Sequence, residues 1–271
     1  MTGTGTVSYA YAIARDVDGS LAEALSELRG VARAPVHLVR DSGAVVVAVS
    51  PVPEQDFREA ALRAHLEDLD WLESVARAHH RVIEALAART TVLPLRLATV
   101  YLDDERVRLM LAARREAFAD RIATLADHEE WGVKIYVDAP AATEPPAEAP
   151  TDPGMSPGRA YLSRRRAQRH VRDEAYRDAE EAARRVEAAA RRYAVDRVQH
   201  RPQQGELARG PGENVINDAY LVAQRHAGHF RTDVTAVADG LTGVRIEVTG
   251  PWAPYSFATP AEPEPARGAA P

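Results

Sequence analysis

His226, His229 and Asp233 are the side chains whose types and spacing come nearest to chemistry in this sequence. Helical positions three or four residues apart share a face. The two imidazoles and the carboxylate therefore resemble part of a zinc ligand set. Two imidazoles without a third ligand close by fall short of a site, and surface histidines are often without function. The adjacent His79 and His80 point in different directions from a helix and cannot easily hold an ion together. Cysteine is absent, which removes disulfides, thiolate metal sites and cysteine nucleophiles. The sole lysine, Lys134, is followed by Ile135, whereas a Walker-type phosphate loop needs Ser or Thr there. Gly3-Thr4-Gly5 precedes the first predicted strand, so it is no dinucleotide loop. No Gly-x-Ser-x-Gly nucleophile elbow occurs. Carboxylates are interleaved with arginine along charged helix faces, and no pair stands out as acid and base. No catalytic, cofactor-binding or metal residue is assigned. The chain reads as an interaction protein, not an enzyme, with no cofactor.

Two segments break local rules instead. In Leu93-Pro94-Leu95-Arg96-Leu97-Ala98-Thr99-Val100 a proline and an arginine interrupt an apolar strand. Proline cannot donate to a sheet ladder, so an edge or a bulge is expected. A buried arginine must be paired, so Arg96 is expected to meet an acidic residue of its own domain. The second segment is Thr249-Gly250-Pro251-Trp252-Ala253-Pro254-Tyr255-Ser256-Phe257. Two prolines hold it extended after a strand. Its aromatics either plug a core edge or meet a partner. Large exposed aromatic patches are unusual, so the plug is favoured, with Trp252, Tyr255 and Phe257 holding the two domains together. Pro94, Arg96, Trp252, Tyr255 and Phe257 are thus the structural or partner-binding candidates.

The elements that must position these residues follow from periodicity and turn chemistry. Val7 to Ala14 reads as a strand. Ser20 to Arg29 reads as a short helix capped by Ser20 and ended by Gly30. Val36 to Arg40 and Ala44 to Val49 form a hairpin through Asp41-Ser42-Gly43. Glu54 to Arg89 lacks Gly and Pro, and its apolar residues, Leu66 among them, recur every three or four positions. That predicts one long amphipathic helix. Thr91 to Tyr101 is extended, Asp103 to Ala126 is helical, and Val133 to Val137 closes the first domain as a buried strand. Ala139 to Gly158 carries six prolines among small and acidic residues and reads as an extended or disordered linker. Beyond it come a helix from Arg159 to Arg197, a possible strand at Arg197 to Gln203 and a firmer one at Asn214 to Ala223. A helix at Gln224 to Asp239 and a strand at Gly243 to Thr249 follow. The expectation is an α+β protein: domain 1–138, linker 139–158, domain 159–257 with its Gly-Pro-Trp closing segment, and a disordered tail 258–271. Each domain should have a mixed sheet with long helices on one face.

A net charge of -6 argues against a general nucleic-acid binder. The cluster Arg164-Arg165-Arg166 with Arg169 and Arg172 is followed by acidic residues at pairing distance, which makes it a solvated helix face. No apolar run approaches the roughly 20 residues of a membrane span. The start lacks the basic and apolar regions of a signal peptide, so a cytoplasmic location is expected.

Several of these stretches together resemble the gas vesicle protein F/L family (GvpF/GvpL). They are Tyr9-Ala10-Tyr11-Ala12-Ile13, the Leu93 to Val100 segment, Gly132-Val133-Lys134-Ile135-Tyr136-Val137 and Tyr161-Leu162 with the arginines after it. Ala219-Tyr220-Leu221-Val222 and Gly250 to Phe257 complete the set. The family more often has Phe-Gly where this chain has Leu97-Ala98, and Pro where it has Ala253. The resemblance implies two α/β domains of modified ferredoxin-like character. It implies an accessory role in gas vesicle assembly, as chaperone or nucleation factor, with the small hydrophobic shell protein (GvpA) and other accessory proteins as partners. Retention in the vesicle wall as a minor structural component is the alternative it allows. Apart from the resemblance, His226, His229 and Asp233 leave a metal-dependent enzyme or regulator as a third, less favoured reading.

Overall fold

The computed structural model describes residues 5–65, 67–138, 157–202 and 212–258. The proposed linker, apart from Pro157 and Gly158, lies outside the described residues. So do the tail beyond Ala258, Gly3-Thr4 and Leu66. The chain divides into two compact units, the first running to Glu129 and resuming at Trp252, the second spanning Glu130–Pro251.

The first unit is organised on β1 (Thr6–Arg15), of which every residue but the two ends is buried. A strand buried throughout needs cover on both faces. The hydrogen bonds of adjacent residues show how this is met. Ser8 Oγ donates to Asp104 of α5 (Asp104–Leu125) at 2.6 Å, while Tyr9 Oη meets His79 of α4 (Leu69–Ala87) at 3.0 Å. Successive strand side chains point to opposite faces, so the two long helices lie on opposite sides of the sheet. The expectation of helices on one face does not hold in this unit.

The sheet has the order β2-β3-β1-β4, with β2 at His37–Arg40, β3 at Val45–Pro53 and β4 at Val92–Pro94. The short β5 (Val100–Tyr101) also pairs with β1. These pairings are antiparallel, not mixed. The β2–β3 turn forms where expected, with Asp41 Oδ1 accepting from the Gly43 amide at 2.7 Å. Pro94 sits at the end of an edge strand, where its missing donor costs least.

In the first unit two helices are shorter than their patterns imply. The first, α1 (Leu21–Leu25), ends where the Ser26 hydroxyl donates to the Glu23 carbonyl, and Ser20 bonds Asp18 instead of capping it. The pattern over Glu54 to Arg89 is divided into α2 (Glu54–Phe57), α3 (Glu59–His65) and α4. Arg58 is extended, and Asp68 caps a fresh helix by accepting from the Asp70 and Trp71 amides. A capping carboxylate satisfies amides that a continuous helix would bond to carbonyls, so it marks a start inside an unbroken apolar period.

The second unit contains β6 (His128–Val137) from Glu130 onward, α6 (Pro157–Ala190), β7 (Ala194–His200), β8 (Glu213–Ala223), α7 (Ala227–Ala236) and β9 (Val244–Trp252) up to Pro251. Its sheet order is β7-β8-β6-β9. A β-α-β-β-α-β chain in this order is the ferredoxin-like arrangement. Val133–Val137 therefore opens the second unit and does not close the first. Its side chains Val133, Ile135 and Val137 join Ala175, Ala179, Ala182, Val186 and Ala190 of α6, with Phe230 and Val234 of α7, in one core. Both helices of this unit thus cover one face. The alanine stripe lets α6 lie close to the sheet. Pro157 opens α6 where a missing amide costs nothing. The helix stops at Ala190, short of Arg197, because Ala194 onward pairs with β8. Among the described residues no helix is long and apolar enough to cross a membrane.

Candidate partner-binding site

The Leu95–Thr99 loop stands out from β1 between β4 and β5. Its ends are tied to β1 by Leu95 N–H donating to the Tyr11 carbonyl and Ala10 N–H to the Thr99 carbonyl, both at 2.9 Å. A buried polar chain holds its middle. The Ala98 amide donates to Tyr9 Oη at 3.0 Å. The phenol proton is then directed at His79 Nδ1, and Nε2 of that ring carries the proton donated to the Leu95 carbonyl at 3.2 Å. This pattern requires neutral His79. Burial pushes its pKa down to about 4, only partly opposed by the Leu95 bond, and the neighbouring His80 lowers it further. Burial likewise pushes the Tyr9 phenol up, far above neutrality.

Arg96 is exposed, and among the described residues no carboxylate pairs with it. The expected buried ion pair is therefore replaced by solvation, because the loop carries Arg96 out of the strand. Its carbonyl closes the turn by accepting from the Thr99 amide and hydroxyl. Ala98 adopts φ 61°, a conformation that costs an L-residue about 1 kcal/mol and glycine almost nothing. Ala98→Gly is expected to stabilise the first unit by about 0.5–1 kcal/mol, as read from the midpoint of urea unfolding. A lower midpoint would mean that the methyl group's packing outweighs the strain.

The closing segment does two jobs with neighbouring residues. Pro254 and Phe257 are buried, Phe257 to 1% exposure, and the Phe257 carbonyl accepts from Arg121 Nε of α5 at 2.7 Å. Trp252 and Tyr255 keep 41% and 36% of their surface exposed. Both lie against His80 of α4. Tyr255 Oη is 3.0 Å from its Nδ1, the Trp252 ring is 5.8 Å away, and Glu84 meets Nε2 at 3.1 Å. Phe257 is thus buried, while Trp252 and Tyr255 form a half-exposed aromatic pair. The segment packs on the first unit, not on the second domain to which the sequence reading assigned it. Leu97, 36% exposed, is a further apolar side chain of this unit that faces solvent.

The sequence reading weighed His79 only as a metal ligand and Tyr9 only within a family stretch, and did not link the two. The available signal was the spacing Val75, His79, Val82, Ile83, Leu86, which puts a histidine on the buried face of α4. His226 and His229 lie 6.1 and 6.4 Å from the Tyr193 ring, and Asp233 Oδ2 accepts from Tyr193 and Arg192. Among the described residues no group of three metal-ligating side chains comes together.

A family model described as gas vesicle synthesis protein GvpL/GvpF matches residues 7–259. The chain belongs to this family. It is 42% identical to gas vesicle protein L of Streptomyces sp. (strain CB03234) over 261 residues, covering 96% of this chain and 95% of that one. It is 28% identical to gas vesicle protein F of the same strain, over 92% and 98% of the two chains. Two crystal structures share its fold. GvpF from Anabaena sp. PCC7120 gives a TM-score of 0.64 at 18% identity, over 95% of this chain and 98% of that one. GvpF from Microcystis aeruginosa gives 0.61 at 18% identity, over 93% and 99%. The GvpL/GvpF match covers both the clamped loop and the closing segment.

Proposed function

We propose that the chain is an accessory protein of gas vesicle assembly that binds the small hydrophobic shell protein (GvpA), and other accessory proteins, as a chaperone or nucleation factor. It acts by binding, with no catalytic step, in the cytoplasm and at the growing vesicle. Membership of the GvpL/GvpF family supports the setting. The observation that carries the binding role is the Trp252–Tyr255 pair, left half exposed on a segment whose neighbours Pro254 and Phe257 are buried. Half-exposed aromatics on a rigid support are effective interface anchors, since they offer a large apolar area at small entropic cost. Pro94 and the clamped loop would fix the support, and Arg96 would lie at the polar rim.

The reading is tested by capturing shell protein with wild-type chain and with a Trp252→Ala/Tyr255→Ala variant. Two central aromatics each contribute about 2 kcal/mol or more when they anchor an interface. The variant should therefore bind at least about tenfold more weakly while retaining its fold by circular dichroism. Equal capture by the folded variant removes the assigned surface. Absence of capture by wild type removes the shell protein as partner.

A further inference from the structure

A cleft of about 540 Å³ lies on the first unit, between the Gly30 turn and α4. Arg29 and Arg33 line it from the turn. Arg81 and Ser74 line it from the helix, with Val75 and Ala78 also in its wall. No carboxylate is among its lining residues, in a chain whose net charge is -6.

The three arginines differ from their neighbours. Along α2 to α4, Arg58, Arg63 and Arg77 each pair with a glutamate four residues earlier. The residue four before Arg81 is Arg77, and Glu84, three residues ahead, meets His80 Nε2 at 3.1 Å. Arg29 reaches only the Leu28 carbonyl, at 3.4 Å. Among the described residues none of the three has a carboxylate partner. Guanidinium stays charged at any physiological pH, so three unpaired guanidiniums around one cleft repel each other until an anion enters.

The turn is built to hold this arrangement. Ala32 and Arg33 both adopt left-handed backbone, φ 54° and 55°, which costs non-glycine residues energy that the surroundings must supply. Buried groups supply it. Tyr11 Oη accepts from the Val31 amide at 2.8 Å, and the Gly30 amide donates to the Ala34 carbonyl at 2.9 Å. A Cβ at Gly30 would stand 2.0 Å from Tyr11 Oη, so only glycine permits the approach.

We infer that this cleft binds a small polyanion, a molecule carrying two or more phosphate or carboxylate groups. The volume is that of a small-molecule site. The guanidinium fork matches either group through paired N–H donors, and the Ser74 hydroxyl adds a neutral one. Isothermal titration of the full chain with pyrophosphate, ATP and citrate tests this and separates the phosphate from the carboxylate source. At least one should bind, with affinity falling as salt is raised. An Arg33→Gln/Arg81→Gln variant with unchanged unfolding midpoint should bind it at least about tenfold more weakly. Arg29→Gln alone should give a smaller loss. The inference is overturned if none of the three anions binds at millimolar concentration in low salt. It is also overturned if the variant binds as well as wild type, or if poly-glutamate binds and the small anions do not.

Discussion

Phe257→Ala is expected to lower the stability of the chain by about 3–5 kcal/mol, the usual cost of truncating a buried phenylalanine. The ring is 1% exposed, and its own carbonyl is held by Arg121, so the cavity cannot close by letting the segment slide. Trp252→Ala removes a larger ring but should cost only about 1–2 kcal/mol, because 41% of that side chain already faces water. Guanidinium unfolding of both variants measures the contrast. A Trp252 variant that loses more than the Phe257 variant would show that the tryptophan, not the phenylalanine, is the plug.

Acid should weaken the fold through His79. In the unfolded chain its imidazole titrates near the ordinary value of 6.5, and in the folded chain near 4. Between those values the unfolded state binds more protons, so stability is complete above about pH 6.5 and falls as the pH drops toward 4. The full difference corresponds to about 3 kcal/mol. The groups facing the ring explain its reluctance to charge. Tyr9 and Tyr11 of β1 are neutral, His80 is a potential second cation, and the Leu95 carbonyl alone favours the charged form. Protonation would also put a donor on Nδ1, where the Tyr9 hydroxyl already donates. Unfolding free energies at pH 7 and pH 4.5 for wild type and His79→Gln test this. Carboxylates contribute acid sensitivity to both proteins, so the informative quantity is the difference, and the variant should lose about 2–3 kcal/mol less. Equal losses would place the acid sensitivity elsewhere.

These two predictions concern one structural idea, a loop and a closing segment fixed to the first unit by buried groups. Ala98 belongs to it. This chain places alanine at φ 61°, and the Tyr9 hydrogen bond to its amide holds the strained residue in place. The same clamp carries Arg96 and Leu97 outward.

Much of this was legible along the chain because it is local. Val7 to Ala14 read as a strand, Asp41-Ser42-Gly43 as a hairpin turn, and Pro94 as the mark of an edge or a bulge. The apolar period over Glu54 to Arg89 indicated amphipathic helical structure. The ordered set of family stretches identified the family. None of these readings needs a partner distant in sequence. The remainder depended on such partners. Val133–Val137 has the composition of a strand in any sheet, and only its pairing partners put it in the second unit. Trp252 and Phe257 are five residues apart and equally apolar, yet one stays half exposed and the other is buried, because α4 and α5 reach them differently. His79 and His80 were indistinguishable as types. Tyr9, 70 residues away, made one a neutral link in a buried chain. Arg29, Arg33 and Arg81 are ordinary surface residues until the Gly30 turn meets α4. Periodicity records which face of an element avoids water; it does not record which other element covers that face, and both the proposed binding surface and the cleft are made there.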